Sequence, residues 1–251
     1  MFDRTRLLRL ARFARAEIAA VAALLVFTLG VLTFVEVADD MTEADGMAFD
    51  QAVLHWMQPV AGDPRGPWWL QEAAADLTSL GGISVLGLFA IIAIAFLMIQ
   101  KKHLSAALMV VGLAGGVALS EGLKALFGRP RPPSDFQAVE TLNASFPSGH
   151  ALLATVFYLT LGVMLTRAFP RRHIKVFVMG AAILIALLIG LTRVYLGAHW
   201  ASDVIAGWGA GAAWAMVLWL AAYAVQRHQA RHSAGLHDAP TPDTAPDLPE
   251  A

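Results

Sequence analysis

The apolar positions of this chain gather into six long runs, Ile18–Val37, Ile83–Ile99, Leu104–Leu119, Ala151–Leu165, Val176–Leu191 and Val204–Val225, with polar breaks between them. A helix needs about 20 mostly apolar residues to cross a hydrocarbon core of roughly 30 Å, and each run approaches that length. None shows the strict alternation of a barrel strand, and lipid admits no third kind of spanning structure. The pattern predicts an all-α fold, a six-helix transmembrane bundle. Composition agrees, since 57% of the 251 residues are hydrophobic and the mean hydropathy is +0.60, whereas a soluble domain is roughly 45–50% apolar.

The polar breaks carry unequal charge. Arg4, Arg6, Arg9, Arg12 and Arg15 precede the first run, and Lys101 and Lys102 follow the second. Arg167, Arg171, Arg172 and Lys175 follow the fourth, and Arg227 and Arg231 the sixth. These are thirteen of the eighteen Lys and Arg residues, so this side, with both termini, is expected to be cytoplasmic. Arg65, Lys124, Arg129, Arg131 and Arg193 fall on the other side. Cations placed against the topological bias need a local reason, and three of these five lie in blocks suited to phosphate. The expectation is a multi-pass protein of the cell membrane with an extracytoplasmic site. The first apolar run exceeds the roughly 7–15 residues of a cleavable signal core and is read as a retained anchor.

The chain has no cysteine, which excludes disulfides and thiolate metal sites. A net charge of -1 gives no reason to expect a nucleic-acid partner. The organisation expected is a basic cytoplasmic N-terminus over residues 1–17, one membrane domain over 18–226, and a tail over 227–251. Pro240, Pro242, Pro246 and Pro249 among small and acidic residues make that tail a candidate for disorder. The first outer connection, 38–82, is too long for a turn. Phe49, Val53, Trp56 and Met57 recur there at helical spacing, and Trp68-Trp69 follow a Gly-Asp-Pro-Arg-Gly-Pro break. Short interfacial helices are one reading and packing against the bundle the other; both place these segments near the mouth of a site.

Three blocks carry chemistry. Lys124 stands near the end of the third helix, which Gly128, Pro130, Pro132 and Pro133 terminate. With Arg131 it can grip a phosphate dianion from two directions, or form no more than a basic collar at a helix end. Pro147-Ser148-Gly149-His150 enter the fourth helix. Ser148 suits an N-cap, the free amides there suit an anion, and Gly149 lets the backbone come close to it, although a capped helix alone would look the same. His150 is an ionisable group at the membrane edge. Arg193, His199 and Asp203 lie between the fifth and sixth helices. If Ala198 or His199 begins the sixth helix, Asp203 shares a face with His199, can fix its tautomer, and leaves the other nitrogen free as a nucleophile. A surface i,i+4 pair is the bland alternative. Glu121, three residues before Lys124, is read as its ion-pair partner.

Taken in order, these residues resemble the three-part signature of the phosphatidic acid phosphatase type 2 superfamily. Lys-x6-Arg-Pro appears as Lys124 through Arg131-Pro132, Pro-Ser-Gly-His as Pro147–His150, and Ser-Arg-x5-His-x3-Asp as Arg193, His199 and Asp203, with Thr192 in place of the usual serine. The likeness spans roughly Ile18 to Val225. It implies a hydrolase in which His199 attacks phosphorus, Asp203 stabilises the imidazolium, and His150 protonates the leaving group and then activates water. Lys124, Arg131, Arg193, Ser148 and Gly149 would hold the phosphate oxygens. It implies no metal and no cofactor, the cations supplying the charge a metal would bring. The expected substrates are membrane lipid phosphates or pyrophosphates: polyprenyl pyrophosphate, phosphatidylglycerol phosphate or phosphatidate. The alternative function is a non-catalytic lipid-phosphate binder or transporter, which would have little use for two histidines. A vanadate-dependent haloperoxidase resembles the same pocket, but six spanning helices argue against it.

Overall fold

The structure is a computed structural model that describes residues 4–41, 43–138 and 143–237, with side chains over 17–229 apart from the same gaps. Among these residues eight α-helices follow one another: α1 Arg4–Asp40, α2 Ala44–Met57, α3 Trp68–Ser79, α4 Ile83–Ile99, α5 His103–Phe127, α6 Gly149–Ala168, α7 Arg172–Tyr195 and α8 Ala201–His237. Among the described residues there is no strand. Every apolar run predicted to span lies inside one of these helices.

Among the described residues, five helices are long and apolar enough to cross a membrane: Glu17–Asp40 of α1, α5, α6, α7, and Ala201–Gln229 of α8. α4 has 17 residues, about 26 Å at 1.5 Å per residue, which sits at the lower limit for a span. It forms a bent pair with α3, at 49° across Leu80–Gly82, and counting that pair brings the spans to as many as six. α8 continues to His237, past position 227, where the tail was expected to begin; residues 238–251 lie outside the described residues.

α8 is the axis of the bundle, with α1 along one side and α6 along the other, while α7 and α5 flank α6. Association of helices inside lipid depends on close packing rather than on removal of apolar surface from water. The α8 seam is accordingly built from glycines. A methyl added at Gly209 would stand 2.8 Å from the Gly30 carbonyl oxygen on α1. Methyls at Gly207 and Gly211 would stand 2.7 Å from the carbonyl oxygens of Ser148 and Leu152 on α6. Larger side chains fill the remaining space: Leu86, Met109, Leu152, Leu153, Val156, Phe157 and Leu218 form one buried cluster joining α4, α5, α6 and α8. Ile91, Ile92 and Phe96 on α4, and Val176 and Phe177 on α7, point outward, as lipid-facing positions should.

α2 and α3 come from the long first connection and pack at the end of the bundle where α7 stops and α8 begins. The helical spacing predicted around Phe49–Met57 is present, but its buried stripe is displaced. Val53 and Met57 pack against Ala151, Val194 and Val204, whereas Phe49 and Trp56 are exposed and Asp50 is buried. An aspartate on the inward face is a polar anchor that hydrophobic patterning cannot register.

Candidate active site

The site forms where α5 ends and α6 and α8 begin. α5 stops because Gly128 takes a left-handed conformation (φ 56°) and returns its N–H to the Lys124 carbonyl at 3.0 Å. The proline-rich stretch then leads Arg129 and Arg131 across the bundle end. At the start of α6 the Ser148 hydroxyl accepts from the Ala151 N–H at 3.4 Å, the cap predicted for it. Backbone bonds join these ends: Ser145 N–H donates to the Arg129 carbonyl at 2.8 Å, and Ser148 N–H to the Asp203 carbonyl at 2.9 Å. Residues from all three sequence blocks are thus held in one frame.

His199 is buried in a turn just before α8, not within the helix, yet it still meets Asp203, with Nδ1 3.3 Å from Oδ2. Oδ2 also accepts from the Trp200 N–H at 2.9 Å and from the Ser145 hydroxyl, and Arg129 donates to Oδ1 at 2.7 Å. The carboxylate therefore has little freedom to turn. On the other side of the ring, Nε2 lies 3.1 Å from Nη1 of Arg131. A guanidinium can only donate, so Nε2 carries a lone pair and the ring hydrogen sits on Nδ1, facing Asp203. Burial pushes the His199 pKa down to about 4, with the Asp203 hydrogen bond and charge pulling the other way. The imidazole is neutral at pH 7 and its lone pair is available.

This has a direct test. In histidine-15N NMR of the protein in micelles, His199 should remain neutral at pH 6 with Nε2 bare, and a ring that protonates near 6.5 would remove the assignment. The sign for stability follows. Between 6.5 and about 4 the unfolded chain takes up a proton that the folded chain refuses, so this histidine makes the fold less stable as pH falls through that window.

Besides Arg129, three more cations lie about this end of the bundle. Arg131 is fixed by the carbonyl oxygens of Asn143 at 2.6 Å, Ala198 at 2.7 Å and Ala144 at 3.3 Å, and burial draws its pKa below the ordinary guanidinium value. Lys124 pairs with Glu121 at 2.9 Å, as the sequence suggested. A methyl added at Gly149 would meet Ser120 Oγ at 3.1 Å and Lys124 Nζ at 3.4 Å, so the glycine leaves room for both polar groups. Arg193 is 2% exposed, donates from Nη1 to the Thr78 hydroxyl at 3.2 Å, and has no partner at Nε among the described residues. Ser120 Oγ is likewise buried without a partner there. His150 rests against the Gly81-Gly82 turn between α3 and α4, within electrostatic reach of Arg193, His199, Lys124 and Arg131.

A neutral nucleophilic nitrogen beside convergent guanidinium and ammonium groups suits attack on a tetrahedral oxyanion. Among the described residues no group of three His, Asp or Glu side chains could hold a metal ion. The Thr192 hydroxyl is engaged within its own helix, donating to the Ile189 carbonyl at 2.7 Å. Several contributors escaped the sequence reading, namely Asp50, Thr78, Arg129, Ser145 and Ser202. Only Arg129 left a signal, as a cation on the sparsely charged side of the bundle.

Residues 105–227 match the PAP2 superfamily. Phosphatidylglycerophosphatase B of Bacillus subtilis (strain 168) is 34% identical over 146 residues, 57% of this chain and 70% of that protein. Undecaprenyl-diphosphatase of Sulfolobus acidocaldarius is 33% identical over 105 residues, 40% of this chain and 47% of that one. The crystal structure of a transmembrane PAP2 type phosphatidylglycerolphosphate phosphatase from Bacillus subtilis superposes with a TM-score of 0.70 at 28% identity, covering 76% of this chain and 93% of that chain. Lys124, His150, His199 and Asp203 all fall inside the matched stretch, and the chain belongs to the PAP2 superfamily.

Proposed function

We propose that this multi-pass membrane protein is a metal-independent lipid phosphatase that works through a phosphohistidine on the extracytoplasmic face. The observation that carries the reading is the state of His199, its Nδ1–H turned to Asp203 and its Nε2 lone pair turned to Arg131. A bound phosphate takes over the Arg131 N–H and presents phosphorus to Nε2. The N–P bond forms as the P–O bond to the lipid breaks, and the departing oxygen takes a proton from His150, which enters the step as an imidazolium held by the negative charge of the bound phosphate. In the second step His150 takes a proton from water, the hydroxide attacks phosphorus, the N–P bond breaks, and inorganic phosphate leaves. Lys124, Arg131 and Arg193, with the Ser148 and Gly149 groups at the start of α6, hold the equatorial oxygens as charge develops.

The excess of Lys and Arg at the opposite end of the bundle supports a cytoplasmic position for that end and an extracytoplasmic one for the site. Six spans, with the α3–α4 pair counted as one, return both termini to the cytoplasm, and the exposed Trp56, Trp68 and Trp69 of α2 and α3 suit the headgroup layer. Among substrates, the relatives favour a phosphatidylglycerol phosphate monoester, followed by undecaprenyl pyrophosphate. A phosphate-release assay over these two lipids and phosphatidate, in mixed micelles, tests the reading. Release is expected from at least one of them and should persist in chelator. Activity lost with chelator and restored by magnesium would replace this chemistry with a metal-dependent one, and no release from any of the three would leave the lipid-phosphate binder or transporter.

A further inference from the structure

We propose that Asp50, on α2 and outside all three motifs, is a positioning residue for this hydrolysis: its carboxylate offsets the charge of Arg129 so that Asp203 can act fully on His199. The inference rests on the phosphohistidine reading above.

Asp50 is 2% exposed. Its Oδ1 accepts from the Ser202 N–H at 2.9 Å, and its Oδ2 accepts from Arg129 Nη2 at 2.7 Å and from the Ser202 hydroxyl. The same guanidinium donates from Nη1 to Asp203 Oδ1 at 2.7 Å and to Ser202 Oγ at 2.7 Å, with its plane carried 5.8 Å from the centre of the Trp200 ring. Charges therefore alternate along one buried line, from Asp50 to Arg129 to Asp203 to His199.

That order matters to the nucleophile. When Nε2 bonds to phosphorus, the ring of His199 becomes an imidazolium and needs negative charge close by. Arg129 and Asp203 together sum to zero. With Asp50 included the group carries one net negative charge, in a buried setting where solvent screens poorly. Without Asp50, Arg129 would draw on Asp203 alone, and the cation forming at His199 would face a neutral pair.

Asp50 has a second task, since its bond to the Ser202 N–H caps the first turn of α8 from outside the helix. Asparagine can keep this cap through its amide oxygen and cannot keep the charge, so Asp50→Asn separates the two tasks. On the lipid that the wild type hydrolyses, D50N should lower kcat at least tenfold, with KM within about threefold and the unfolding temperature close to wild type. The double variant D50N/R129Q restores one net negative charge and should recover kcat at least threefold over D50N. A purely structural Asp50 gives the opposite, since removing Arg129 then adds damage.

A folded D50N with wild-type kcat, or a folded double variant no better than D50N, overturns the proposal. Asp50→Glu keeps the charge and should stay within about fivefold of wild type. If D50N cannot be obtained folded, a folded D50E with less than a tenth of wild-type kcat overturns it instead. Wild type and His199→Ala run alongside. Turnover that is missing in the first or kept in the second removes the phosphohistidine reading itself, whereas a failure confined to the Asp50 variants removes this proposal alone.

Discussion

Replacing His199 by alanine is expected to reduce phosphate release by on the order of a thousandfold or more, with the chain still folded and inserted, because the proposed covalent intermediate forms on this ring. Its neighbours do not depend on it for their own bonds. Asp203 keeps the Trp200 N–H, the Ser145 hydroxyl and Arg129, and Arg131 keeps the carbonyls of Asn143, Ala144 and Ala198. The binding site should therefore outlast the chemistry. Two measurements check this, release of phosphate from the lipid and capture of an acid-labile phosphoprotein from radiolabelled substrate. Wild type should give both and His199→Ala neither. A variant that still turns over at a tenth of the wild-type rate would show that another residue attacks phosphorus.

Gly197→Ala should be nearly as damaging although it removes no functional group. Gly197 has φ of 67°, a conformation that costs an L-residue roughly 1–2 kcal/mol. Its new methyl would stand 2.0 Å from the Phe136 carbonyl oxygen. That obstacle is backbone, so no side-chain rotation relieves it, and the turn leading to His199 has to move. We expect a loss of about 3–5 kcal/mol, in the range of strong backbone and overpacking effects, together with most of the activity. Gly180→Ala on α7 is the control: nothing stands within 4 Å of its new methyl, and alanine in a helix interior should be neutral or stabilising by about 0.5–1 kcal/mol. Thermal unfolding in detergent separates the two variants. Equal melting temperatures would mean that the turn at Gly197 is not tightly held.

The large features of this molecule were legible in its sequence because a single physical effect decides each of them. Apolar run length specifies a helix in lipid, so all six runs lie in helices. Ser148 caps α6 and Glu121 pairs with Lys124, since both effects are local and encoded in short spacing. The bend between α3 and α4 was not legible: the Trp68-Trp69 segment reads as an interfacial helix or as a piece packed on the bundle, and nothing in its pattern shows that it pairs with α4. Asp50 was hidden for a different reason. A buried aspartate and a solvated one look alike in a helical pattern, and only the arrival of Arg129, 79 positions later in the chain, decides between them. His199 precedes α8 instead of opening it, yet its contact with Asp203 survives because a turn can deliver the ring as well as a helix can.

The glycine seam of α8 has a consequence for how this enzyme can change. Gly207 and Gly211 let two backbones touch, and that contact sets the height of one strut against the other, with Ser148 at the top of α6 and Asp203 at the top of α8. A bulkier residue several ångströms down the shaft would lift or tilt the column and misalign the reacting atoms at its summit. Tuning of this chemistry can therefore be inherited through positions that never meet a substrate.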